Sequence, residues 1–154
     1  IINPDNFFPK GVSMFDFKFD WCKEMECGVK AIDDQHQILF RIGRDMEQLI
    51  MNGCQNATSK ELLNIVCELR EYTSYHFYTE EDLMAKYNYP MSDKHKASHV
   101  EFRSNILNIN LPLLGKHPEQ VLPQIKIHLQ DFLFNHILIE DQELGRYIKT
   151  CANE

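Results

Sequence analysis

Two pairs of metal-type donors sit at helical spacing in this chain: His76 with Glu80, and His95 with His99. Residues four apart on an α-helix share a face, so each pair can aim two donor groups at one point. His36 and His136 stand outside these pairs, and Glu140 and Asp141 follow His136 closely. Imidazole suits iron, zinc and copper, whereas bridging carboxylates suit a pair of hard ions. Taken alone, H-x-x-x-H is more often a surface or core feature than a ligand pair, and H-x-x-x-E is weaker still. His117, just before Pro118, reads as solvated and His128 as structural, so neither is assigned to the site.

Convergence of the remaining donors depends on the elements that carry them. Four segments show helical patterning, over 33–52, 59–87, 92–108 and 118–149. In the first, Ile38, Leu39, Ile42, Met46, Leu49 and Ile50 form an apolar stripe; Asp33 or Asp34 can cap its start and Asn52-Gly53 stops it. The second opens on a capping box, Thr58-x-x-Glu61, and ends at Asn88-Tyr89-Pro90. The fourth has Pro118 in its first turn, but Pro123 favours a start just beyond it. Cys67 falls in the second helical stretch and reads as a small core residue. Strand-type alternation is absent, and connections are short except around 109–118. The pattern predicts an all-α fold, an up-down-up-down antiparallel four-helix bundle. Residues 1–32 read as an arm lying across it, 1–13 of them as a tag remnant or upstream linker, and 1–154 as a single domain.

In such a bundle His36, His95 and His99 lie near helix starts, while His76, Glu80 and His136 lie in later halves. Antiparallel packing brings them all toward one end. Buried polar groups without partners are costly, so the convergence needs a cause, and metal supplies one. One tetrahedral zinc takes about four ligands. Five histidines with at least two carboxylates suit two ions better. By helical spacing the second carboxylate is Glu140, four residues after His136; Asp141 lies five on, about 140° around a regular helix, and needs a π-type bulge to join.

Composition excludes several other classes. A formal charge of −7 argues against a nucleic-acid partner. Scattered lysines and arginines offer no membrane patch, and no apolar stretch reaches the roughly 18 residues of a membrane span. Five cysteines, an odd number without C-x-x-C, favour a reducing compartment, hence the cytoplasm.

Across roughly 19–149 the chain resembles the hemerythrin family, its bacterial branch in particular. The resemblance rests on Ile32-Asp33-Asp34-Gln35-His36, His76-Phe77-Tyr78-Thr79-Glu80, Tyr89-Pro90, His95-Lys96-Ala97-Ser98-His99, and Leu133-Phe134-Asn135-His136 with Asp141. It implies a non-haem centre of two iron ions, cycling between Fe2+ and Fe3+, with an oxo or hydroxo bridge. One iron would take His95, His99 and His136, the other His36 and His76, and both would share Glu80 and Asp141. The second iron would keep one position open for dioxygen. Leu133, three residues before His136, would wall that pocket, with Phe40 and Phe77 as further candidates.

The function expected from the resemblance is reversible dioxygen binding by a carrier, store or delivery protein, not an enzyme. A sensor module serving a signalling domain or partner protein is the alternative. A di-iron oxidase or peroxidase is disfavoured, because the carboxylate-rich E-x-x-H motifs of such enzymes are missing. A metal-free structural bundle is the remaining reading.

Overall fold

The computed structural model describes residues 18–152. Among the described residues, a 3-10 turn at Lys23–Met25 is followed by six α-helices: α1 Lys30–Met51, α2 Ser59–Lys86, α3 Ser92–Leu107, α4 Leu111–Lys116, α5 Pro118–Phe132 and α6 Gln142–Ala152. A π-helical stretch, Leu133–Asp141, joins α5 to α6, and both its flanking residues keep right-handed helical dihedrals. The last rod of the bundle is therefore continuous. α1 packs on α2 and α5, and α3 packs on α2 and α5, which closes the four-helix bundle.

Local chemistry explains the boundaries. The Thr58 side chain accepts from Glu61 N–H while Glu61 accepts from Thr58 N–H, the reciprocal cap expected for α2. α1 starts at Lys30, three residues ahead of the sequence expectation. Asp33 is not its N-cap: it lies inside the first turn and accepts from the N–H groups of Cys27 and Gly28, at 2.7 and 3.0 Å. Pro123 does not delay α5: the helix runs through it from Pro118 and forgoes the bond its N–H would make to Glu119 O. The stretch expected to be a long connection contains α4, capped by Asn110 on Leu113 N–H at 2.9 Å.

The described residues ahead of α1, 18–29, lie on the bundle, and residues 30–32, read above as arm, form the start of α1. Arg44 donates to Phe19 O at 3.0 Å and Gln142 donates to Met25 O at 2.9 Å. Two glycines make the close approach possible. A Cβ on Gly43 would enter the Phe19 ring, and one on Gly145 would strike the Cys27 carbonyl. Residues 1–13, read above as tag or linker, lie outside the described residues.

Apolar burial forms two clusters. The larger holds Leu39, Phe40, Met46, Leu69, Phe77, Leu129 and Leu133; the smaller holds Ile32, Met84, Tyr89, Leu144 and Ile148. His36 on α1, Glu80 on α2 and Asp141 before α6 each fall between members of the two. A polar layer thus separates them. Cys67 is exposed, contrary to the sequence reading, because α2 buries Val66 and Leu69 and turns position 67 outward. His128 is likewise exposed rather than structural.

Candidate metal centre

The seven residues singled out by spacing and resemblance meet in that layer, none more than 2% exposed. α1 contributes His36, α2 His76 and Glu80, α3 His95 and His99, and the π-stretch His136 and Asp141. The π-stretch resolves the spacing conflict. Its wider turn brings residues five apart onto one face, so Asp141 enters the layer beside His136. Glu140 is turned outward and accepts from His136 Nδ1 at 2.8 Å.

The donor atoms fall into two groups: Glu80, His95, His99 and His136, and His36, His76, Glu80 and Asp141, each within 4.8 Å throughout. Both carboxylates divide their oxygens between the groups. Glu80 Oε2 lies 3.2, 2.9 and 3.3 Å from Nε2 of His95, His99 and His136, while Oε1 lies 3.4 Å from His76 Nε2. Asp141 Oδ1 lies 3.3 Å from both His95 and His136, and Oδ2 lies 2.9 Å from His36.

These atoms fit cations better than they fit each other. His76 Nε2, Glu80 Oε1 and Asp141 Oδ1 are buried without a hydrogen-bond partner among the described residues. Leaving a buried polar atom unsatisfied costs about 1–3 kcal/mol. His99 and His136 bring two Nε2 atoms within 3.2 Å, a contact that needs a proton or a cation between them. Separations of 2.9–3.4 Å also match the edges of an octahedron with corners ~2.1 Å from its centre.

Electrostatics points the same way. Burial opposes ionisation of Glu80, yet the imidazoles of His76, His136, His95 and His99 hold its carboxyl well below the usual range. Burial also opposes charge on His95 and His136, but hydrogen bonds and charge from Asp141, Glu80 and Glu140 push them up to about 9 and about 10. His76 goes the other way: burial pulls it down to about 4 and leaves a neutral nitrogen facing Glu80. The two carboxylates hold positive charge around them, and without metal, protons supply it.

Sequence reasoning left the outer partners of the imidazoles unassigned. His76 Nδ1–H donates to Gln35 Oε1 at 3.1 Å. The Thr79 hydroxyl donates to Tyr75 O, so Thr79 accepts from Gln35 Nε2 and the amide oxygen is left facing His76. His99 Nδ1–H donates to Glu81 at 3.1 Å, and Ser98 Oγ lies 2.7 Å from Glu140 and 3.1 Å from His136 Nδ1. Gln35, Glu81 and Ser98 each neighbour a donor in sequence, and that adjacency is the signal that could have found them.

Aromatic rings wall the layer. Phe77 stacks on His99 at 4.0 Å and Phe132 on His136 at 4.5 Å, while Trp21 of the arm lies 5.8 Å from His36 and 5.3 Å from Phe40. Leu133 is buried in the larger apolar cluster. His117 stays outside beside Glu119, half exposed. A cleft of about 270 Å³ between α3 and α5 reaches His136 and Glu140 from outside.

A four-helix bundle carrying this donor layer is of the cation-binding class. Sequence comparison identifies the family: the hemerythrin HHE cation-binding domain matches residues 27–148, and the chain belongs to it. The bacteriohemerythrin of Clostridium acetobutylicum is 28% identical over 125 residues, covering 81% of this chain and 97% of that protein. That of Stenotrophomonas maltophilia is 27% identical over 134 residues (87% and 84%), and that of Campylobacter jejuni 30% identical over 118 residues (75% and 84%).

Proposed function

We propose that the layer holds two iron ions and that the protein binds dioxygen reversibly, as a carrier, store or delivery protein rather than an enzyme. The carrying observation is the division of the Glu80 and Asp141 oxygens between a three-imidazole and a two-imidazole group. On this reading His95, His99 and His136 serve one ion, His36 and His76 the other, and Glu80 and Asp141 bridge both. Membership of a cation-binding family and likeness to bacteriohemerythrins support iron as the metal. When bound, the iron pair supplies the electrons that hold dioxygen.

The rest is the work of the side chains. The His36 and His76 group has one imidazole fewer, which leaves room for a small ligand there. Trp21, Phe40, Phe77 and Leu133 keep water from the layer, so charge that develops within it is not dissipated by solvent. Five imidazoles bring less negative charge than a carboxylate-rich set, which favours reversible binding over turnover of a substrate. No helix among the described residues is long and apolar enough to cross a membrane, and the odd cysteine count supports a reducing, cytoplasmic setting.

Metal analysis tests the reading, with two irons per chain expected. The reduced protein should gain a visible absorption band with oxygen and lose it when oxygen is removed. One zinc per chain, or an irreversible change that consumes added reductant, overturns it. His76→Ala should abolish the band; oxygen binding that survives this change would refute the assignment of the two-imidazole group.

A further inference from the structure

The histidines of the two groups differ in what stands behind them. In the three-imidazole group, His99 and His136 donate their outer N–H to carboxylates, Glu81 at 3.1 Å and Glu140 at 2.8 Å. In the two-imidazole group, His76 donates to a neutral amide, Gln35, held in that orientation through Thr79. His36 Nδ1 is buried without a hydrogen-bond partner among the described residues, and the His36 ring lies against Trp21.

This difference has a direction. A carboxylate behind an imidazole accepts a charge-assisted hydrogen bond and makes the metal-facing nitrogen a stronger donor. A stronger donor favours the more highly charged state of the metal it holds. A neutral amide does this less, and an unpartnered N–H beside an indole ring does not do it. Because Glu80 and Asp141 touch both groups, they do not create the inequality. The opposing charge is Arg103, whose guanidinium lies 5.6 Å from the Phe77 ring. Its contact is with the face of that ring, whereas Glu81 reaches His99 Nδ1 at 3.1 Å.

We propose that Glu81 and Glu140, acting through His99 and His136, bias the centre electronically. They make the three-histidine position the first to give up an electron and leave the two-histidine position ferrous longest. They are positioning residues, since neither reaches the layer itself. The proposal rests on the di-iron reading above and adds an order to it: the position with room for dioxygen is the one protected from premature oxidation.

The test is a potentiometric titration of the iron-loaded protein. Ferricyanide takes one electron at a time; each step converts one Fe2+ to Fe3+ and one ferricyanide to ferrocyanide, with no bond broken. The midpoints of the two steps are compared between the native protein, Glu81→Gln, Glu140→Gln and Gln35→Glu. Losing one outer carboxylate is expected to weaken the ferric preference of the first position about tenfold, which raises the first midpoint by about 59 mV and leaves the second nearly in place. Gln35→Glu is expected to lower the second midpoint, so each change narrows the gap. A gap that stays the same in Glu81→Gln, or two midpoints that move together, overturns the proposal. Glu81 is about one-third exposed, so its isosteric replacement tests the idea even where a buried replacement fails to fold. Iron content separates the two levels. A native chain without two irons refutes the di-iron reading, whereas two irons with an unmoved gap refutes only the bias.

Discussion

Phe77 is the side chain on which the metal layer and the apolar core lean together, and replacing it by alanine tests that directly. Its ring is fully buried and has aromatic neighbours at 4.0 Å (His99), 5.6 Å (Phe132), 5.7 Å (His76), 5.9 Å (His136) and 6.3 Å (Phe102). Phe→Ala in a close-packed interior costs about 3–5 kcal/mol through lost transfer energy and the cavity left behind. The upper part of that range applies here, because aromatic pairs add about 0.5–1.5 kcal/mol each beyond area and this ring makes several. We expect a loss of about 4 kcal/mol, read as a Tm drop on the order of 10 °C at this chain length. The assay is denaturation of metal-stripped protein, so that metal affinity does not enter. Phe77→Leu, which keeps most of the apolar volume but not the stack on His99, should lose less than half as much. A loss below about 1 kcal/mol for the alanine variant would refute the reasoning, since it would mean the site collapses without cost.

Other expectations follow from the same geometry. Without metal, His95 and His136 are raised to about 9 and about 10, so their contribution is fully present below the ordinary histidine value near 6.5 and is lost as pH rises through 9 and 10. His76, lowered to about 4, works in the opposite sense below 6.5. Urea titrations of stripped protein should therefore find greatest stability near pH 6.5, with a progressive loss from there toward pH 9–10; stability that holds level or rises from pH 6.5 to 9 would contradict this. Metal loading at pH 7 should release protons from His95 and His136, so apparent affinity should rise with pH, as calorimetry in two buffers of different ionisation heat can check. Thr58→Ala removes the α2 capping box and should cost about 1 kcal/mol of unfolding free energy. Cys67, which is exposed, should react with iodoacetamide in the native protein, whereas Cys27 should resist it, because burial holds its thiol far above the usual range.

Much of this was legible in the chain as written. Helical periodicity, the Thr58-x-x-Glu61 box and the stop at Asn88-Tyr89-Pro90 act within a few residues of themselves, so they can be read locally. The same holds for His76 with Glu80 and His95 with His99, whose shared faces follow from helix geometry alone. Cys67 is exposed despite its place beside the apolar stripe, because a stripe says which side of a helix is buried only to within about one residue's rotation. α1 starts ahead of the cap that Asp33 suggests, because Asp33 reaches back to Cys27 and Gly28, a use of the carboxylate that no cap pattern encodes.

The sequence by itself determined the donor types, their spacing along each helix and the end of the bundle at which they meet. Those depend on neighbours along one chain segment, where a fixed rise and turn convert spacing into direction. The tertiary structure alone decided what lies across the gap between helices. It turns Asp141 inward and Glu140 outward through the π-stretch at Leu133–Asp141. It sets Gln35 behind His76 but Glu81 behind His99, and lays Trp21 against His36. These hydrogen bonds and this ring contact join residues 15 to 41 positions apart and are made in space, and only the packed bundle fixes them.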